Sequence, residues 1–145
     1  MSETIFAQIL RGEAPATFVY RDDWVSAFMD IQPVNPGHVL VVPNQSVASL
    51  SELDEETGAQ IFRVAQRIAK ALQQSELRCE GVNLFLADGA AAMQEVFHVH
   101  LHVFPRYRGD GFGLQFSERY FTKPSRSELE NAGAKIRQAL DAAAA

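Results

Sequence analysis

"FHVHLHVFPRY", residues 97–107, holds three of the four histidines in this chain, at positions 98, 100 and 102. Val99, Leu101 and Val103 alternate with them. Successive side chains of a strand point to opposite faces, so this spacing predicts one strand with an imidazole row on one face and an apolar stripe on the other. The stripe belongs in a core. The row calls for chemistry, because buried imidazoles need partners and exposed ones have no reason to alternate so regularly.

Working outward, "HVLVVP" (38–43) is a continuous apolar run of strand length, and "VNLFLA" (82–87) reads as another strand. "TFVY" (17–20) and "WVSAFM" (24–29), joined by Arg21, Asp22 and Asp23, form a hairpin pattern. Between Asp54 and about Ser75, the residues Ile61, Val64, Ala65, Ile68 and Leu72 recur at helical intervals among Arg63, Gln66, Arg67 and Lys70, which predicts the main amphipathic helix. A shorter helix is expected over "SETIFAQILRG", with Ser2 as its cap and Gly12 at its end. A last helix is expected over about 127–140, opened by a Ser127 and Glu130 capping box. Hairpin-grouped strands with one long helix inserted predict an α+β fold with an antiparallel sheet. Neither a repeat nor a composition shift marks a second domain, so 1–145 is expected to be one domain.

Composition narrows the function classes. The chain is 47% hydrophobic and 21% charged, with a formal net charge of −5, which argues against a protein that coats nucleic acid. No apolar run approaches the roughly 20 residues of a membrane span, and the start lacks the pattern of a secretory signal, so a cytoplasmic protein with no membrane partner is expected. Cys79 is the only cysteine, which leaves no disulfide framework and no cysteine pair for zinc.

Two chemistries compete for the imidazole row. Neutral imidazole ligates zinc, but a straight strand spreads residues 98 and 102 roughly 13 Å apart at the Cα level, and only His38 lies outside the row to complete a set. Imidazole is also a nucleophile for electrophilic phosphorus, mostly unprotonated at neutral pH with its ordinary pKa near 6.5. A central nucleophile with a helper on each side suits an alternating row better, and His100 is its centre.

"ADGAAAMQEVFHVHLHVFPR" resembles the histidine-triad (HIT) family of nucleotidyl hydrolases and transferases, whose signature is His-x-His-x-His. "TIFAQILRGEAPATFVYRDDWVSAFMDIQPVNPGHVLVVP" looks like the family's amino-terminal half, so the likeness covers about residues 4–106. The resemblance implies a five-stranded antiparallel sheet, a homodimer, and no required metal or other cofactor. It implies hydrolysis at the α-phosphorus of nucleoside phosphoramidates or dinucleoside polyphosphates, with His100 forming a nucleotidyl-histidine intermediate. His98 and His102 match the supporting histidines, and His38 the fourth histidine that backs the triad. Asp30 falls where the family binds ribose hydroxyls. Ile5, Phe6, Ile9, Phe28 and Ile31 match the apolar slot for a purine base, of adenosine or guanosine type. Gln94 and the backbone through Val96 lie where phosphate is bound. Arg106 and Arg108 are candidates for distal phosphates.

This chain departs from the family at three places: Ala87 stands for an amide, Met93 for glycine, and Glu95 for a hydroxyl residue. By strand parity Glu95 is expected to face away from the histidines. Thr4, Ala7 and Ser46 replace the ligands of a structural zinc present in some relatives, so that site is expected to be absent. Two other functions are compatible with these residues: a purine nucleotide-binding or regulatory module with little turnover, and a metal-dependent hydrolase using the same histidines.

Overall fold

Five short strands, β1 (Phe18–Arg21), β2 (Val25–Met29), β3 (Val39–Pro43), β4 (Gly81–Leu86) and β5 (Leu101–Arg106), form one antiparallel sheet in the order β1-β2-β3-β5-β4. The computed structural model describes residues 3–144. Within it, residues up to Phe112 form one compact unit and residues from Gly113 a second. The sheet, the long helix and every histidine belong to the first.

The two faces of the sheet carry different layers. Helix α2 (Glu55–Gln74) lies on one, where Ile61, Val64, Ala65 and Leu72 join Val39, Val41, Val99, Leu101 and Val103 in the larger core cluster. Its ends follow from the sequence: the Asp54 carboxylate accepts from the Thr57 N–H (3.0 Å), and Glu55 and Glu56 occupy the positive end of the helix dipole. The other face carries α1 (Ile5–Leu10), whose Phe6 and Ile9 pack with Phe28, Leu40 and Val42. Thr4 caps α1, its hydroxyl accepting from the Ala7 N–H, and the expected cap Ser2 lies outside the described residues.

Helix α3 and strand β5 also differ in extent from the sequence reading. Helix α3 runs over Arg126–Ala144, because the Ser125 hydroxyl, two residues before the expected Ser127, accepts from the Glu128 N–H (3.1 Å). The ladder of β5 begins only at Leu101, so His98 and His100 precede it. Continuing the β3–β5 register would set Val99 opposite Pro43, which has no N–H to donate, and β4 has already ended opposite Leu101. The chain stays pinned here by the Val99 N–H, which donates to the Val47 carbonyl (2.9 Å). Val99 is buried on the helix side, so the alternation holds beyond the ladder.

Candidate active site

Strand register brings the histidines together. Phe18, Phe28, Leu40, His102 and Phe85 follow one another as Cα partners across all five strands, and side chains in such a row share a face. His38 stands just before β3, beside His102. Their rings lie 5.1 Å apart, and the His102 ring is 5.0 Å from that of His100.

Backbone groups fix the proton positions on these rings. The Val34 N–H donates to His38 Nδ1 (3.0 Å), so neutral His38 carries its proton on Nε2. That Nε2 is 2.9 Å from His102 Nδ1, which therefore accepts, leaving the proton of His102 on Nε2. His100 Nδ1 is 2.8 Å from the His98 carbonyl, which only accepts, so Nδ1 holds the proton and Nε2 keeps a bare lone pair. His98 Nε2 likewise donates to the Pro43 carbonyl (2.8 Å). The set presents one nucleophilic nitrogen, on His100, next to one N–H donor, on His102.

Electrostatics hold the rings neutral. Burial lowers the pKa of His38, His98 and His100, partly opposed by Asp30 for His38 and His100 and by a backbone carbonyl for His98 and His100. For His102, burial and then the neighbouring His100 and His38 drive the pKa down to about 4. All four are therefore uncharged at pH 7, the state a nucleophile requires.

His98 is not a group that substrate can touch. It is wholly buried, and its Nδ1 is the one buried side-chain polar atom left without a hydrogen-bond partner among the described residues. Its contribution is to position: its carbonyl orients His100, while its ring ties this segment to the end of β3.

Asp30 meets the imidazoles directly. Its Oδ2 is 3.5 Å from His38 Nε2 and 3.9 Å from His102 Nδ1, while Oδ1 accepts from the Gln32 N–H (2.8 Å). Asp30, His38 and His102 thus offer three potential ligand atoms within 4.8 Å of one another, a spacing that would suit a metal ion. The proton arrangement does not suit one. His38 Nε2 bears a hydrogen, and ligation there would require moving it to Nδ1, against the Val34 N–H. The three groups fit a proton-ordering chain instead.

Of the five apolar residues expected at the base slot, three are buried and two exposed. Phe6, Ile9 and Phe28 are buried in the cluster beneath the histidines, with the Phe6 ring 5.0 Å from that of His100, and Val96 packs half-buried against them. Ile5 is exposed at 47% and Ile31 at 95%, so neither serves as core.

Gln94 is buried with its amide engaged: Oε1 accepts from the Gly89 N–H, and Nε2 donates to the carbonyls of Ala48 and Val96. It shapes the loop before the triad. In that loop Met93 holds a left-handed backbone (φ 73°), which a side chain strains and glycine would not. Ala87 is buried, whereas Glu95 is exposed in an irregular segment where strand parity does not apply.

Arg106 is committed elsewhere. Its guanidinium donates to both Asp110 oxygens (2.6 and 2.9 Å), to Asn83 and to the Phe112 carbonyl. That leaves little of it for a distal phosphate. Sequence reading passed over Asn35, buried and donating to the Pro105 carbonyl and to Asp110, and over the Val34 N–H that sets the whole proton order. The turn string "QPVNPG" before His38 was the available signal.

Residues 11–109 match the family model described as the HIT domain. The chain is 41% identical over 116 residues to an uncharacterized HIT-like protein of Borreliella burgdorferi, covering 79% of this chain and 84% of that one. It is 36% identical over 101 residues to the purine nucleoside phosphoramidase of Escherichia coli, covering 70% and 85%. The crystal structure of a HIT family member from Bacillus subtilis superposes with a TM-score of 0.82 at 36% identity, covering 94% of this chain and 96% of that one.

Proposed function

The chain belongs to the HIT family, and from that premise we propose that it hydrolyses purine nucleoside phosphoramidates through a nucleotidyl-histidine intermediate, without a metal. The observation that carries this reading is the proton order: a bare Nε2 on His100 beside an N–H donor on His102.

In the first step the His100 Nε2 lone pair attacks the α-phosphorus. The P–N bond breaks, and the His102 Nε2 proton passes to the departing nitrogen, which leaves as the amine; the negative charge left on the His102 ring is matched by the positive charge on the phosphorylated His100 ring until the second step returns the proton. In the second step water attacks the same phosphorus, His102 takes up its proton, and the P–N bond to His100 breaks. The products are a nucleoside monophosphate and the enzyme in its starting state. His38, held by the Val34 N–H, keeps His102 in the tautomer that donates outward. The Asp30 Oδ2 lies 3.5 Å from His38 Nε2 and 3.9 Å from His102 Nδ1, where a ribose hydroxyl would compete with the imidazoles for it. Phe6, Ile9 and Phe28, with Ile5 and Ile31 at the mouth, supply the apolar slot for the base.

Two facts favour a phosphoramidate over a dinucleoside polyphosphate. The E. coli relative is a purine nucleoside phosphoramidase. Arg106, one of the two cations expected near further phosphates, is occupied by Asp110. We read the protein as a homodimer, an assignment that rests on family resemblance.

The test is hydrolysis of adenosine phosphoramidate by metal-stripped protein. Turnover is expected to survive chelation and to disappear in His100→Ala. Loss of turnover on chelation, restored by a divalent metal, would refute the reading.

A further inference from the structure

The helix side of the sheet holds a cavity of about 340 Å³ between α2 and strands β1 to β3, remote in chemistry from the histidines. Its floor is buried aliphatic surface, Val39, Val64 and Leu72, which belongs to the core cluster on that face. Gly37 lets the Leu72 and Leu77 side chains close in on the backbone at one end of the lining. A Cβ there would come within 3.0 Å of Leu77 Cδ1 and 3.1 Å of Leu72 Cδ2, and the φ of +106° disfavours any side chain.

The rim explains what such a cavity would select. Val19 and Leu77 bring half-exposed apolar surface to the rim. Arg67 lines the same cavity and forms no salt bridge among the described residues. Tyr20, also in the lining, gives its proton to Asp22 (2.7 Å), whose carboxylate also accepts from Gln60 and from the Trp24 and Val25 N–H groups. A guanidinium beside the Tyr20 hydroxyl, with no carboxylate paired to it among the described residues, at the edge of an apolar slot matches an anionic head with an aliphatic tail.

We propose that this cavity is a second ligand site, for a medium-chain carboxylate whose tail lies over Val39, Val64 and Leu72 and whose head pairs with Arg67. The volume sets the length: a cavity of ~150 Å³ holds benzene, so one about twice that size takes an aliphatic chain on the order of eight carbons. The site is separate from the nucleotide face, since Met29 and Gly37 in its wall are the chain neighbours of Asp30 and His38 on the opposite side of the sheet.

Calorimetric titration of the full-length protein with octanoate tests this. Saturable binding of one octanoate per chain is expected, at least tenfold weaker in Arg67→Glu and lost in Ala71→Phe, whose ring would enter the slot. Thermal unfolding of both variants checks that they fold. Octanol, which keeps the tail and lacks the charge, is expected to bind at least tenfold more weakly than octanoate, and His102→Ala to leave octanoate binding unchanged. Absence of saturable binding to the wild-type chain up to millimolar ligand would overturn the proposal. So would equal affinity in Arg67→Glu, equal affinity for octanol, or loss of binding in His102→Ala.

Discussion

Replacing His38 with alanine separates proton delivery from nucleophilic attack. The substitution leaves the Val34 N–H without its acceptor and His102 Nδ1 without its donor. A buried polar atom stripped of its partner costs about 1–3 kcal/mol, and Val34 is only half-buried, so water relieves part of the cost on that side. The lost ring also stood 4.9 Å from Phe104. A total of about 2–4 kcal/mol is expected, inside the ~5–15 kcal/mol reserve of a typical domain, so the variant folds. In it His102 is free to carry its proton on either nitrogen. Proton transfer contributes about 10²–10⁴-fold to rate; His38 orders the donor and is not itself the donor, so the loss belongs near the lower end. Single-turnover hydrolysis of adenosine phosphoramidate should slow by about 10²-fold. A p-nitrophenyl ester of the same nucleotide, whose leaving group departs without a proton, should slow by less than about tenfold. Equal losses on the two substrates would refute the proton-ordering role.

Three further outcomes follow from the same geometry. Acid should destabilise the fold: unfolded histidine binds a proton near pH 6.5, but folded His102 only near 4, so stability falls with pH across that interval and levels off below it. The loss from this residue is about 3 kcal/mol, and His38, His98 and His100 shift in the same direction; urea melts at pH 7 and pH 4.5 would measure it, and equal midpoints would contradict it. Arg106→Ala should lower the midpoint of thermal or urea unfolding by breaking the Asp110 pairing, yet leave phosphoramidate turnover within about threefold; a larger loss of turnover would return Arg106 to the substrate. Gln94→Leu removes three hydrogen bonds from the loop before the triad and should lower both stability, by about 2–3 kcal/mol, and activity, read by melting and initial rates.

Much of this was legible in the chain itself, for physical reasons. Period-two alternation at 98–103 and helical periodicity at 61–72 report burial directly, so the faces of β5 and α2 could be read residue by residue. Distances across the sheet could not. That His38 would meet His102, and that Asp30 would lie 3.5 Å from His38, depends on the registers of β3 with β5 and of β2 with β3, which no local pattern encodes. Backbone partners are equally silent: the Val34 N–H and the His98 and Pro43 carbonyls set the histidine tautomers, and a sequence gives no letter for them. Parity holds as far back as Val99 but gives no reading of Glu95, which is exposed in an irregular segment.

The central claim is that His100 Nε2 bonds to phosphorus. Its most direct test is intact-mass and peptide analysis of protein quenched during turnover of a slowly hydrolysed purine nucleoside phosphoramidate. One nucleotidyl adduct per chain is expected, located on His100 and absent from His100→Ala. Turnover at full rate with no adduct in rapid-quench samples, or an adduct located on His102, would contradict it.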